Sequence, residues 1–377
     1  MKLTTDQQPL AEWLQRAAAV ADERSPATAF HCVRLDATAS ALTISAGNQL
    51  FNLTTAGLPL LAAEPGSVST PAARIAALIA SLRPNAAVEI SFDQTASAED
   101  NRLRIKSGRT NVALQGLDPL ALPVFTHEFP ETQIRVIASE LDRILTFTMP
   151  AMEVASTRPA LWGMSLSYEA TEEGGRAVGA ASDGRVGAVC YIHAEATEFP
   201  AVILPRPLCQ KLHSFLKGDT SEIEIAITGR AIRLKTAAWT IMSSLVDAIP
   251  PPYKQWMPPL VAQPVTLDSA ELASILARLQ ISTDMDNPKL RQHGAVLNCA
   301  DQMLRLRDGS HSFEDVMSAV CERDAQIGVN ALHIGEALSV IAAEQVELHF
   351  VDRYSPIRIC AAGATEDAFV TMAYSIN

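Results

Sequence analysis

Residues Leu208–Val246 read LCQKLHSFLKGDTSEIEIAITGRAIRLKTAAWTIMSSLV, and the period of the pattern changes part-way along. Leu208, Leu212 and Phe215 recur at helical spacing. From Ile223 the apolar residues alternate instead. Ile223–Thr228 (IEIAIT) is followed by a Gly229–Arg230 turn, then by Ile232–Thr236 and Trp239–Val246. One amphipathic helix leading into hairpin-connected antiparallel strands, each with one buried face, is the unit this stretch specifies.

The same unit recurs along the whole chain. Leu10, Trp13, Leu14 and Ala17 carry the helical pattern first, then Ile75, Leu78, Ile79 and Leu82, then Leu141, Ile144, Leu145 and Thr148. After Leu208 it returns at Leu272, Ile275, Leu276 and Leu279, and finally at Ile334, Ala337, Leu338 and Ile341. The sets begin 65, 66, 67, 64 and 62 residues apart. A nearly constant period over six copies marks an internal repeat. Alternating runs follow the second helix at Ala87–Phe92, Leu103–Lys106 and Val112–Gln115, with turns at Asp93–Asn101 and Ser107–Thr110. They follow the last helix at Val346–Val351, Ile357–Ala361 and Asp367–Ala373. One helix cannot cover both faces of so small a sheet, so units pair, two to a domain. Six units make three α+β domains, expected at 1–127, 128–256 and 257–377, with boundaries near Phe125–Thr132 and Trp256–Thr266.

Composition narrows the function. A hydrophobic fraction of 48% with 19% charged residues describes an ordered globular chain. No apolar run reaches the ~18 residues of a membrane helix, and the first residues, MKLTTDQQPLAEWLQ, lack a signal peptide's apolar stretch. A cytoplasmic location is expected. The six cysteines form no C-x-x-C pair and read as buried reduced thiols. A net charge of −12 argues against a surface that grips nucleic acid everywhere, though not against a local basic face. Eight dispersed histidines offer no metal-ligand spacing, and there is no nucleophile elbow or phosphate-cradling loop. Glu172-Glu173-Gly174-Gly175 reads as an acidic hairpin tip and Asp183-Gly184 as a turn. The chain is expected to be a non-enzyme with no cofactor and no metal.

Leu245–Pro258, LVDAIPPPYKQWMP, sits where the second domain meets the third. Proline fixes φ and donates no backbone hydrogen bond, so this stretch is expected to be extended, stiff and unable to continue a sheet. On composition it reads first as an interdomain linker, and otherwise as a rigid platform carrying Tyr253, Gln255 and Trp256 toward a partner peptide.

Three tandem domains of doubled helix-plus-strands units resemble the bacterial sliding clamp, the beta subunit of DNA polymerase III, over the full length. Particular segments carry the resemblance: Ala181–Cys190 (ASDGRVGAVC), Ser243–Pro258, Arg158–Met164 (RPALWGM), Val202–Leu216 (VILPRPLCQKLHSFL), Ile327–Phe350 and the terminal AFVTMAYSIN. Three departures stand out. Arg185-Val186-Gly187 replaces the family's His-Arg-Leu. Pro250-Pro251-Pro252-Tyr253 replaces Phe-Pro-Asp-Tyr. Met372-Ala373-Tyr374-Ser375-Ile376, with Asn377 added, replaces Met-Pro-Met-Arg-Leu. All three fall where the family binds peptides.

The resemblance implies a head-to-tail homodimeric ring around double-stranded DNA, without sequence specificity. It also implies partners: the polymerase III alpha subunit, a clamp loader, and other polymerases and repair proteins that carry short motifs with leucine and phenylalanine anchors. The implied groove comprises Leu161, Ser182, Gly184, Arg185, Val186, Gly187, Pro251, Gln255, Trp256, Tyr354, Pro356, Val370, Thr371, Met372, Ala373, Tyr374, Ser375 and Ile376. The implied DNA contacts are Arg24, Arg158, Arg206, Lys211 and Lys217. On the fourth helix Arg206, Gln210, His213 and Lys217 share one face, which is also the pattern of an ordinary solvated helix. The implied dimer contacts are Arg74, Gln280 and Ile281, with Asn111–Leu114 nearby. The altered groove leaves open a divergent clamp paralogue, linked to a plasmid, phage or repair, with a restricted partner set. A small-molecule binder or enzyme on repeated α+β domains is the competing class, and a co-purifying metal or nucleotide would reveal it.

Overall fold

The computed structural model describes residues 1–93, 101–122, 127–155, 157–172, 174–192, 195–282, 294–308 and 313–374. Its helices are α1 (Gln7–Val20), α2 (Ala72–Ala80), α3 (Ala138–Thr148), α4 (Arg206–Leu216), α5 (Tyr253–Trp256), α6 (Ser269–Ser282) and α7 (Ala331–Ile341). Six of them coincide with the six periodic sets. Leu10 and Leu14, Ile75 and Ile79, Leu141 and Ile144, Leu208 and Leu212, Leu272 and Ile275, and Ile334 are all buried. The helices pack in pairs: α1 on α2 and α6 on α7, with α3 and α4 joined by His213 Nδ1 and Asp142 Oδ1 at 2.6 Å. Trp13 departs from its periodic reading. It is only half-buried, with the Arg16 guanidinium 4.9 Å from its ring centroid.

Contacts divide the chain into two compact units, Met1–Ala138 with Ser214–Leu245, and Ser139–His213 with Val246–Asn377. In the first unit one sheet runs Thr110–Gln115, Arg102–Ser107, Ala87–Phe92, Lys2–Asp6, Ala62–Glu64. A longer sheet runs Ile134–Ile137, Glu222–Ile227, Ala231–Lys235, Trp239–Ser244, Phe51–Thr55, Ala41–Gly47, Cys32–Ala37, Gly66–Pro71. The seam in this sheet pairs Trp239 with Thr55, Ile241 with Leu53 and Ser243 with Phe51. Strands far apart in sequence thus share one ladder, and the buried side chains of Trp239, Leu53 and Phe51 close the core behind it.

The second unit holds a sheet ordered Val202–Pro205, Gly163–Thr171, Gly174–Ser182, Val186–Ile192, Ala364–Thr371, Ile357–Ala361, Gln345–His349, Val265–Asp268. A separate sheet is ordered Glu314–Ser318, Met303–Asp308, Gly294–Ala300, Ala325–Asn330. The seam here is the antiparallel pairing of Val186 with Thr371, Gly187 with Val370, Ala188 with Phe369 and Val189 with Ala368. Arg143 of α3 reinforces it. Its Nη1 donates to Asp367 Oδ2 at 2.6 Å and its Nη2 to the Tyr191 carbonyl at 2.6 Å, while Tyr191 N donates to Asp367 Oδ1 at 2.8 Å.

Every cysteine is buried and unpaired. Burial pushes the Cys209 and Cys299 thiols up to about 12, so neither is a thiolate at neutral pH. Replacing Asp367 with alanine should cost about 2 kcal/mol, because it removes two acceptors from a half-buried guanidinium and a backbone N–H. Urea unfolding of Asp367→Ala against the parent measures this, and a change below the error of the fit would reject the seam as a stabilising feature.

Candidate functional site

The second unit gathers several of the expected groove residues into one recess. Leu161, Ser182, Pro251 and Trp256 line it together with Gly163, Ala180 and neighbouring small residues. Its volume is about 240 Å3, counting the part open to solvent. Gly163 is obligatory here, since a Cβ would lie 1.9 Å from the Leu204 carbonyl oxygen. Pro159–Leu161 is a 3-10 turn, and the strand starts at Gly163.

Ser182, in the lining, opens the Ser182–Gly187 turn, whose other residues lie outside it and which is pinned at several points. Ser182 Oγ donates to the Val186 carbonyl at 2.7 Å and accepts from Gly184 N at 3.0 Å. Asp183 Oδ1 accepts from Arg185 N at 2.7 Å and Val186 N at 2.8 Å. Gly184 has φ +89°, a left-handed conformation suited to glycine. Arg158 braces the turn from outside, donating to the Asp183 carbonyl at 2.6 Å and pairing with Glu153. That Arg158 contact, with two backbone N–H groups, holds the Glu153 carboxyl below its usual range.

The opposite wall corrects the reading of an extended Leu245–Pro258. Tyr253–Trp256 makes a helical turn, entered from Pro252 at φ −69°. Proline ends the preceding sheet but also pre-sets the φ that a helix start requires. Lys254 Nζ ties the turn to Glu169 Oε1 at 2.5 Å. Desolvation raises the Glu169 pKa, but hydrogen bonds from Lys254 and Arg176 outweigh it and hold the carboxyl low. Trp256, Tyr253 and Met257 pack on Val178, Ala180 and Val189. The indole lies over Gly187, where a Cβ would come within 2.4 Å of the ring. Burial, with Tyr191 and Glu169 nearby, raises the Tyr253 hydroxyl pKa. Gln255 is exposed beside this wall.

The chain end, expected to line the same groove, lies beside the Ser182–Gly187 turn and does not line the recess. Met372 N donates to the Arg185 carbonyl at 3.0 Å and Tyr374 N to the Gly328 carbonyl at 2.8 Å. Tyr374 covers Gly294, and Ala373 is half-buried. Thr371 Oγ1 lies 3.0 Å from His333 Nδ1, and Asn330 Nδ2 lies 3.2 Å from His333 Nε2. Asn330 Oδ1 already accepts from Leu332 N, so its amide donates, and His333 sits as the neutral Nδ1–H tautomer. Burial lowers its pKa, Asp183 opposes that, and Arg185 adds to it. Tyr354 stands 69% exposed in the Asp352–Ser355 turn against Arg353 and does not line the recess. Pro356 leads from that turn into the Ile357–Ala361 strand. Ser375 and Ile376 lie outside the described residues. Among the described residues no three His, Cys, Asp or Glu side chains cluster to hold a metal.

Sequence reading missed Gly163, Ser165 and Ala180 in the lining and His333 behind the chain end. The only signal for the first group is a run of small residues on facing strands, Gly163-x-Ser165 and Gly179–Ser182. His333 gave no signal, being 38 residues from its partner Thr371.

Comparisons with known proteins agree in one direction. Residues 135–252 match the family model described as DNA polymerase III beta subunit, central domain. The chain is 26% identical over 364 residues to the beta sliding clamp of Caulobacter vibrioides, covering 94% of this chain and 95% of that one. The chain is thus similar to beta sliding clamps over most of its length, and its residues 135–252 match the central domain of the DNA polymerase III beta subunit. The Pseudomonas aeruginosa beta sliding clamp is 26% identical over 317 residues, 82% of each chain. In fold, the crystal structure of the DNA polymerase III subunit beta from Pseudomonas aeruginosa superposes with a TM-score of 0.89 at 24% identity over 99% of this chain and 100% of that one. That of the Caulobacter crescentus beta sliding clamp gives 0.90 at 22% over 100% and 99%.

The remaining expected residues are distributed as follows. Arg206 Nη1 donates to the Met152 carbonyl at 2.6 Å, so it fastens the end of the α3 segment. Lys211 is half-buried, and desolvation lowers its pKa. Lys217 and Arg24 are exposed, the former just past α4, the latter in the loop after α1. Arg74 is exposed on α2, Gln280 is half-buried on α6, and Ile281 is 84% exposed at the end of that helix.

Two outcomes follow from this geometry. Gly187→Val should displace the Trp256 indole, costing about 1–3 kcal/mol and raising acrylamide quenching of tryptophan emission. The quenching change should vanish in a Trp256→Phe background. Acidification should weaken the chain end. With the folded His333 pKa below the usual ~6.5, the unfolded chain takes up a proton there that the folded chain does not. Stability therefore falls as pH drops through that window. Unfolding midpoints from pH 7.5 to 5.5 for the parent and His333→Gln check this; the variant should show the shallower dependence.

Proposed function

We propose that this protein is a sliding clamp: a homodimeric ring that encloses double-stranded DNA and tethers the polymerase III alpha subunit and other motif-bearing polymerases and repair proteins to it. The observation that carries the reading is the co-linear match across nearly the whole of two chains, 364 residues with the Caulobacter vibrioides beta sliding clamp. The repeat of paired helices on antiparallel sheets supports division into domains 1–127, 128–256 and 257–377, in which residues of α1, α2, α4, α6 and α7 would face the duplex. Arg24, Lys211 and Lys217 are the proposed phosphate contacts. Arg158 and Arg206 would contribute charge while keeping their structural hydrogen bonds. Such contacts position DNA without reading bases.

Ring closure is proposed through edge strands. Thr110–Gln115 ends its sheet, and so does Glu314–Ser318. Joining one to the other across protomers would cover two open ladders. Arg74, Gln280 and Ile281 would flank the joint, and the exposed Ile281 would be buried by it. The recess around Leu161, Ser182, Pro251 and Trp256 is the proposed docking groove for partner motifs. A cytoplasmic location and a clamp loader as the opening partner belong to the same reading, as does the absence of catalysis by the chain itself.

The protein should run at about twice its 40.5 kDa chain mass in sizing by light scattering. Loaded onto nicked circular plasmid by its host's clamp loader, it should co-elute with the circle and be lost at least tenfold on linearisation. Equal retention on circle and line would refute topological enclosure.

A further inference from the structure

The recess leaves little enclosed room. The space left for the centre of a water molecule is about 10 Å3, enough for a single water. The largest side chain in its lining is that of Trp256. The Trp256 indole occupies the volume above Gly187 and packs on Val178, Ala180 and Val189. Its Nε1–H is buried with no hydrogen-bond partner. A buried unpaired donor is unfavourable, so the indole holds its place by apolar packing alone. Gly187 makes that packing possible, since any side chain at this position would collide with the ring.

We propose that Trp256 is the specificity-determining residue of the partner groove, acting as a built-in plug that limits the anchor side chain to the size of alanine or serine. The inference rests on the reading of this recess as a peptide groove. A side chain of leucine or phenylalanine size needs more room than one water leaves, so it docks only by displacing the indole from Val178 and Val189. That displacement exposes the apolar face the ring covers and opposes whatever the anchor gains by burial. An alanine or serine anchor fits beside the ring against Ala180 and Ser182 and leaves the packing intact. Selection then comes from excluded volume, a repulsive device, rather than from an added attraction.

The test uses the full-length dimer and acetylated Gln-Ala-Ser-Xaa-Xaa-amide peptides in which both Xaa are Ala, Val, Leu or Phe. Each is titrated calorimetrically into the parent, Trp256→Ala and Trp256→Phe. The parent should bind the Ala peptide at least as tightly as the Leu and Phe peptides. Trp256→Ala should reverse that order and gain at least about tenfold for Leu and Phe anchors, with Trp256→Phe in between. Thermal melts and dimer mass establish that each variant folds, and Trp256→Phe keeps the test open if the alanine variant does not. A parent that prefers Leu or Phe anchors by the variant's margin, or a variant with no gain, overturns the proposal. Binding by none of the proteins overturns it as well. Retention on circular DNA then tells the two readings apart: retention kept leaves the clamp standing without this plug, and retention lost removes the clamp reading itself.

Discussion

The antiparallel pairing of Val186–Val189 with Ala368–Thr371 is the contact on which the second unit depends. It joins strands about 180 residues apart in sequence, so its loop-closure cost falls on the whole intervening chain. Its return lies in burial: Val189, Ala188, Ala368 and Phe369 are closed to solvent on one ladder. Backbone bonds alone would allow this ladder to slip by one residue and turn its apolar face outward. Asp367 prevents that, because its two oxygens receive the Tyr191 N–H from one strand and the Arg143 guanidinium from α3. Register, helix docking and strand pairing are thereby fixed by one carboxylate.

The groove follows from the same pairing. Gly187 lies within the paired segment, and the absence of a side chain there lets Trp256 close down on the sheet. Thr371, paired with Val186 at the same end of the ladder, accepts from His333 of α7 and so positions Met372, whose N–H returns to Arg185. The walls of the recess are thus extensions of the seam. A site built this way keeps its geometry with few polar residues, because its small side chains sit on strands that the core already orders.

The architecture was legible because it is written locally and repeated. Each helix shows its own period, each hairpin its own alternation, and six copies remove the ambiguity of any one. Strand limits such as Ala87–Phe92 and Ile357–Ala361 emerge unchanged from the alternation alone. The groove was partly legible, through residues that resemble a known family. What stayed hidden is what depends on distant partners. The helical turn at Tyr253–Trp256 lies behind three prolines that argue for extension. The partner of Arg143 on α3, Asp367, lies 224 residues away. Arg158 and Arg206 read as available charges, and their bonds to the Asp183 and Met152 carbonyls appear only once the chain is folded.

Those bonds bear on how an acidic chain could hold a polyanion. The net charge is −12, and Arg143, Arg158 and Arg206 are bonded within the chain. A protein that held DNA by charge alone would then bind weakly and lose its grip steeply with salt, since each phosphate contact adds to the salt dependence. A ring escapes that constraint, because its residence is set by the opening of the protomer joints and not by the sum of phosphate contacts. Exposed cations such as Arg24 and Lys217 suffice on the proposed reading, since strong contacts would hold the ring at one position. On the proposed reading, the acidic balance and the commitment of Arg158 and Arg206 to structure serve the same end: a closed ring that keeps its shape and moves freely along the duplex.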